Sequence, residues 1–420
     1  FLEKLVQETE KEHEDILEQA DETDAMFGEL YSWYLRNPEY RSRVQKLVQS
    51  AFAGKPEDII SQSVAKALYG EVSPYSATRL ERFAACAFAH FLQYGMKLTE
   101  RVEYEFKPMD MGNVMHEALE SFAEEVRKRG MKWTELTEQE RNEIADRCLD
   151  NIVADYGNTV LKSSARNEYM IERTRRILRR TVWALQKQLE QGEFQPEGFE
   201  VTFGGGRIDR VDIMEDQNKV YVKVIDYKTG NTSFDLVYLY HGLQLQLMIY
   251  LDGALRVEQK KYPDKEIIPA GVFYYNIKDP MIQEKIDADV EAVSAGLMKE
   301  LKMNGLVQAD PELVYRMDSS LGSIPVAFNK DGSFRKNSSV ADRTQFAVLG
   351  RYVRTKIEKI RSSILEGDAE VSPYELGKKN ACTYCPYMTV CGFDRRLSGY
   401  EFRRLKNFSD EELWKAFDRE

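Results

Sequence analysis

The sequence predicts an α/β or α+β fold built on a mixed sheet. Two observations carry this. Apolar residues recur at a spacing of 3.6 as far as residue 191, then at a spacing of two over residues 199–203, 207–213 and 220–226. A helical pattern over 237–257 then leads into a further strand at 271–277. Helix, three strands, helix and strand in that order describe a sheet with both antiparallel and crossover connections.

The elements follow in order. The first 40 residues read as a solvated acidic helix with Leu2, Leu5 and Leu17 on one side. Two further helical stretches run to Tyr69, and Gly70-Glu71-Val72-Ser73-Pro74 breaks the pattern. A boundary is expected there, with 1–72 as a helical remnant, 73–400 as the main domain and 401–420 as a helical tail. From Ser76, Leu80, Phe83, Ala84, Ala87, Phe88, Phe91 and Leu92 repeat at three and four. A second helix starts near Gly112, with Val114, Met115, Ala118, Leu119, Phe122 and Val126 as its apolar stripe. Residues 134–191 are helical and charged, and hold the basic block Arg173, Arg175, Arg176, Arg179 and Arg180. Gly204-Gly205-Gly206 joins the first two strands and Asp216-Gln217-Asn218 the next two, which gives an antiparallel meander. Beyond residue 280 lie more helices and a cysteine-bearing loop at 380–394.

Composition removes several classes. With 43% hydrophobic and 11% aromatic residues, the 420-residue chain can bury sizeable cores and is not a disordered protein. It has no run of about 18 uncharged apolar residues, so no membrane span is expected. The start at Phe1, with no initiator Met and no signal-peptide core, predicts a piece of a longer protein. The net charge of −11 argues against a nucleic-acid partner only when averaged. Residues 1–24 hold ten acids and two bases, which leaves −3 on the other 396 residues.

Side chains alternate across a strand, so Val220, Val222, Val224, Asp226 and Lys228 share one face. Asp209 likewise shares a face with Val211 and Ile213, whereas Asp212 falls on the opposite one. Two carboxylates on neighbouring strands thus point to the buried side, where they need a cation or a metal. Hard oxygen donors suit Mg²⁺ or Mn²⁺ and point to metal-assisted phosphodiester hydrolysis, with Lys228 orienting water or stabilising the pentavalent state. An isolated Asp-x-Lys is ordinarily a strand-end ion pair. The ordered set of His116, Asp209, Asp226-x-Lys228 and Gln246-x-x-x-Tyr250 is much more specific.

Five cysteines occur, three of them as C-x₂-C-x₅-C at Cys382, Cys385 and Cys391. Such spacing without a signal peptide indicates metal rather than disulfides. The fourth ligand comes from Cys86 or Cys148, or the site stays open. Zinc and an iron–sulfur cluster both fit C-x₂-C, and one distant cysteine with a C-terminal triplet fits the cluster better. A centre that includes Cys86 closes a loop of nearly 300 residues.

The runs Ser76-Ala77-Thr78-Arg79-Leu80-Glu81-Arg82-Phe83-Ala84-Ala85-Cys86, Gly112-x₃-His116, Gly206-Arg207-Ile208-Asp209-Arg210-Val211-Asp212, Ile225-Asp226-Tyr227-Lys228 and Cys382-Thr383-Tyr384-Cys385-Pro386-Tyr387 resemble the RecB-type branch of the PD-(D/E)xK nucleases. Within that branch they are similar to the nuclease regions of AddB-type components of bacterial AddAB helicase–nucleases. The resemblance spans about residues 73–394. It implies a restriction-endonuclease-like core with large helical insertions. It implies that His116, Asp209, Asp226 and the backbone carbonyl of Tyr227 hold Mg²⁺ or Mn²⁺, that Lys228 is catalytic, and that Gln246 and Tyr250 support the site and contact DNA. It further implies that Cys86, Cys382, Cys385 and Cys391 hold a [4Fe–4S] cluster. The expected role is a DNA exonuclease in double-strand-break processing in the bacterial cytoplasm, acting on the 5′-ended strand together with an AddA helicase–nuclease. Arg173, Arg176 and Arg180 are weaker candidates for DNA contact. No G-x₄-G-K-[ST] occurs, so no ATP is expected to bind. The sequence departs from the family in Cys86-Ala87, where relatives often have Cys-Pro, and in the short triglycine connection. Three other readings use the same residues: a catalytically silent DNA-end-binding module, a zinc-stapled scaffold, and the shorter CRISPR-associated iron–sulfur nucleases.

Overall fold

A computed structural model describes residues 22–51, 59–70, 76–100, 108–155, 164–204, 206–282, 289–397 and 399–419. Residues 1–21 of the acidic stretch, with Leu2, Leu5 and Leu17, and residues 71–74 of the expected break lie outside them.

Helices α1 (Glu22–Arg36), α2 (Pro38–Ala51) and α3 (Gln62–Tyr69) come first. Helix α4 (Ala77–Ala85) opens on Ser76, whose hydroxyl accepts from Arg79 N–H, and stops at Cys86 in an extended conformation. A short α5 (Ala87–His90) then runs into a π-turn, Phe91–Gly95, so the helix expected from Ser76 is broken at its cysteine. Next come α6 (Pro108–Lys128), α7 (Glu138–Asp155) and α8 (Ala165–Glu190).

Strands β1 (Gln195–Phe203), β2 (Gly206–Asp216) and β3 (Lys219–Lys228) form the expected antiparallel meander. The helix expected over 237–257 is two helices, α9 (Leu236–Tyr240) and α10 (Gln246–Lys261). Gly242 adopts φ +78°, a conformation that favours glycine, and its N–H closes on Leu239 C=O, which ends α9. Gln246 therefore sits in the first turn of a helix. Helix α10 crosses over to β4 (Glu266–Asn276), which pairs parallel to β3. After α11 (Val290–Glu300), the short β5 (Asn304–Gln308), α12 (Pro311–Met317) and β6 (Val340–Ala341) complete a six-stranded mixed sheet in the order β1-β2-β3-β4-β5-β6. Helix α13 (Arg343–Glu366) follows. The cysteine region carries a small sheet of β7 (Tyr374–Leu376), β8 (Lys379–Asn380) and β9 (Arg403–Arg404), the turn α14 (Met388–Cys391), and finally α15 (Asp410–Arg419).

The sheet separates two cores. On one face α6, α7 and α8 pack through the predicted stripe of Val114, Met115, Ala118, Leu119, Phe122 and Val126. On the other, Val220, Val222 and Val224 meet Leu247, Met248 and Leu251 of α10 and Leu349, Tyr352 and Val353 of α13. Ala65 and Tyr69, which precede the expected boundary at 72, and Leu413 and Phe417 of the tail are buried in this second core. None of the helices in the described residues is long and apolar enough to cross a membrane.

Asp212 lies where its strand face predicts, away from Asp209. It is fully buried and takes Arg210 Nε at 2.5 Å, Arg210 Nη2 at 2.9 Å and Lys223 Nζ at 2.9 Å. Burial alone would raise its carboxyl, but the two cations overcome this and hold it below the usual carboxylate range. Asp212→Ala takes from two buried cations the carboxylate they share. The expected loss is about 3–5 kcal/mol of unfolding free energy, read by urea denaturation. A loss under about 1 kcal/mol, the value of an exposed pair, contradicts this account.

Candidate metal and catalytic centre

The apolar row of β3 ends at the edge of the sheet where β2 begins. Asp226 continues the row of Val220, Val222 and Val224 and is 1% exposed. Lys228, two residues on, places Nζ 2.6 Å from Asp226 Oδ2. Gln246, in the first turn of α10, joins them: its Oε1 accepts from Lys228 Nζ at 2.9 Å, and its Nε2 donates to Asp226 Oδ1 at 2.9 Å and to the Tyr250 hydroxyl at 2.9 Å. The four-residue spacing puts Gln246 and Tyr250 on one helical face. Burial, and the negative charge of Asp209 after it, push the Asp226 carboxyl up to about 7 against the pull of Lys228 and His116. Burial likewise raises the Tyr250 phenol to about 12, so it remains a protonated donor at neutral pH.

A second cluster faces this network. His116 Nδ1 lies 3.4 Å from Asp209 Oδ2 and 3.8 Å from Glu200 Oε1. One donor atom from each of the three falls within 4.8 Å of the others. Asp209 Oδ2 also accepts the Tyr227 N–H at 2.7 Å, which fixes the carboxylate against the end of β3. Burial disfavours a charged His116, but hydrogen bonds to Asp209 and Glu200 dominate and raise it to about 10. Two carboxylates so placed attract positive charge. That charge can be a proton on the imidazole or a divalent cation that replaces it.

Glu200 is absent from the residues the sequence singled out. The pairs Phe199↔Arg210 and Val201↔Ile208 flank it and set it directly across the ladder from Asp209. Its φ is +49°, in a region that costs a non-glycine residue on the order of 1–3 kcal/mol. Arg207 forms an ion pair with its carboxylate. Next to the site, the Phe203 ring stands edge-on to Tyr250 with centroids 5.9 Å apart. It closes over Gly253, where a Cβ would lie 2.6 Å from the ring.

The other candidates divide. In the basic block, Arg175 and Arg179 pair with Asp146, Arg175 also pairs with Asp150, and Arg176 and Arg180 pair with Asp279, while Arg173 is exposed. Four of its five guanidiniums thus face carboxylates of the chain itself, which weakens its case as a phosphate-binding surface. Cys86 and Cys385 belong to one small core with Ala89, Leu92 and Tyr387, and Cys382 lies close enough to Cys86, Cys385 and Cys391 to feel their charge. Burial raises the Cys382 thiol to about 12, and the neighbouring Cys86, Cys385 and Cys391 add to this. Arg82 donates to Cys385 Sγ at 3.8 Å and lies over the Tyr387 ring. Cys148, on α7, is buried in the core that α6, α7 and α8 share, and is not part of this group.

A model of the PD-(D/E)XK nuclease superfamily matches residues 74–392. A curated relative from Lachnoclostridium phytofermentans, named as a subunit of an ATP-dependent helicase/deoxyribonuclease, is 41% identical over 95% of this chain and 36% of its own length. Proteins of the same name from Thermoanaerobacter sp. and Clostridium acetobutylicum are 34% and 33% identical, again over 95% of this chain and 37% and 36% of theirs. The chain thus spans little more than a third of the length of these relatives.

Proposed function

We propose, from the premise that this chain belongs to the PD-(D/E)XK nuclease superfamily, that it is a divalent-metal-dependent deoxyribonuclease region of a helicase–nuclease. The carrying observation is the convergence of His116, Glu200 and Asp209 beside the Asp226–Lys228–Gln246 network. The donor set fits the group: an imidazole and hard carboxylates suit Mg²⁺ or Mn²⁺, and Asp226 and the Tyr227 carbonyl at the end of β3 complete the candidate ligands. The cation, when bound, supplies Lewis-acid stabilisation of phosphate charge and a more acidic bound water. Asp226 and Gln246 hold the Lys228 ammonium at the site, where it stabilises negative charge developing on the scissile phosphate. Tyr250, protonated and hydrogen-bonded to Gln246, offers its hydroxyl to a phosphate oxygen of the DNA.

The resemblance and the names of the relatives support the rest of the reading. The substrate is the 5′-ended strand at a double-strand break, the partner is an AddA-type helicase–nuclease, and the compartment is the bacterial cytoplasm. The four gathered cysteines form the candidate site for the [4Fe–4S] cluster. The Arg82 guanidinium beside them suits an anionic thiolate centre. Zinc bound at about 2.3 Å from each thiolate needs sulfurs about 3.8 Å apart. Among the described residues, the donors that do converge within 4.8 Å are those of His116, Glu200 and Asp209.

The test is digestion of linear DNA labelled at the 5′ or the 3′ end, with and without Mg²⁺. Metal-dependent release from the 5′-ended strand supports the reading, and no cleavage of any strand in Mg²⁺ or Mn²⁺ overturns it. Glu200→Gln keeps the shape and removes a charged donor. It is expected to raise the Mg²⁺ concentration for half-maximal cleavage by roughly tenfold, read by metal titration of the rate.

A further inference from the structure

Helix α10 begins without a cap of its own. Leu245 precedes it and has no side chain to accept from the first turn, yet the first N–H groups of a helix need acceptors. They are met from 164 residues away. Glu81 Oε1 accepts from Leu245 N–H at 2.7 Å and from Gln246 N–H at 2.9 Å. Glu81 belongs to α4, whose Leu80, Phe83 and Ala84 are buried in the core beneath α10. Its carboxylate stands near both Lys228 and Asp226, and burial lifts it to about 7 despite the two N–H donors. Charged or neutral, its oxygen still accepts.

The far end of α4 is equally constrained. Arg403 donates to Ala84 C=O, Arg82 reaches Cys385 Sγ, and the helix stops on Cys86. We propose that Glu81 is a positioning residue for DNA cleavage: it fixes the Gln246 backbone, and through Gln246 the Asp226–Lys228 pair, and so ties the catalytic centre to the helix that carries Cys86. The proposal rests on the nuclease reading above. It explains why Gln246 can orient Lys228 from the first turn of a helix, where an unanchored end would fray. Misplacement of a reacting group by about 1 Å costs on the order of a hundredfold in rate, so an anchor of this kind acts on kcat.

The test compares the full chain with E81A, E81Q, Q246A and E81A/Q246A. E81A is expected to lower kcat on single-stranded DNA by roughly 10–100-fold at unchanged KM. E81Q keeps an acceptor oxygen and stays within about threefold of the parent. The double variant is no slower than Q246A alone within about twofold, because both changes act through one side chain. Any one of three results overturns the proposal: losses that multiply in the double variant, a change in KM alone, or E81Q as slow as E81A. Should E81A fail to fold, E81D, which withdraws the acceptor by one methylene, takes its place. Independently of cleavage, amide exchange at Leu245 and Gln246 rises by about tenfold or more in E81A or E81D while β3 stays protected. Unchanged exchange overturns the proposal. A parent chain that cuts no DNA, with exchange still raised in E81A or E81D, overturns the nuclease reading and leaves the anchor standing.

Discussion

Asp226→Asn is expected to remove Mg²⁺-dependent cleavage, by about three orders of magnitude in kcat, and to make the metal-free protein more stable at about pH 8. Asn keeps the volume of Asp and can keep a hydrogen bond to Gln246 Nε2, so the fold is retained. It removes the charge of a proposed metal ligand and the partner of Lys228. The stability arm follows from the raised carboxyl. In the unfolded chain Asp226 titrates near 3.9, and in the fold at about 7. Between those values the native state binds more protons than the unfolded one, so the contribution of Asp226 to stability falls as pH rises from about 4 to about 7. The Asn variant has no such dependence. Its melting temperature should match the parent near pH 4 and exceed it above pH 7, and Mg²⁺ should narrow the gap by stabilising only the parent. Thermal melts across pH with a chelator, repeated with Mg²⁺, check this. A metal-free parent as stable as the variant at about pH 8 contradicts the burial argument, and retained cleavage contradicts the catalytic one.

The parts of the site that the sequence reveals are those that a local pattern sets. Asp226 and Lys228 are legible because strand alternation alone puts them at the end of a valine row. The meander is legible because its two turns are short and rich in Gly, Asn and Asp. Glu200 is within reach of the same reasoning: counting back from the Phe203↔Gly206 pair sets it opposite Asp209. It escapes because strand 199–203 stands out by its apolar face, and nothing local marks a glutamate as turned by a positive φ. Glu81 is out of reach, since its role is created by a contact across 164 residues. The break at Gly242 is hidden for a related reason. Apolar spacing continues through it, and the glycine's positive φ belongs to the backbone turn that closes α9 on Leu239 C=O, which leaves no mark on periodicity. Strands β5 and β6 are five and two residues long, too short to show a period of two.

With the proposed [4Fe–4S] cluster on these cysteines, Cys86→Ser is expected to lose the visible charge-transfer band of the anaerobically purified chain and most of its iron. It should also lower the melting temperature far more than a surface substitution does. A cluster that joins residue 86 to residues 382–391 removes the closure entropy of a very long loop from the unfolded ensemble, worth roughly 5 kcal/mol in chain-entropy terms. Each kcal/mol corresponds to about 2–4 °C in a domain of 150–250 residues. The structure adds a reason for the loss to reach the catalytic centre. Cys86 ends α4, and Glu81 on that helix holds the first turn of α10. Cys148→Ser is the control: it sits in the opposite core, so it alters packing locally and leaves the iron content unchanged. Iron retained in the Cys86 variant, or lost in the Cys148 variant, would contradict the assignment of the four ligands. Loss of iron with no fall in melting temperature would separate iron binding from stability and remove the staple role.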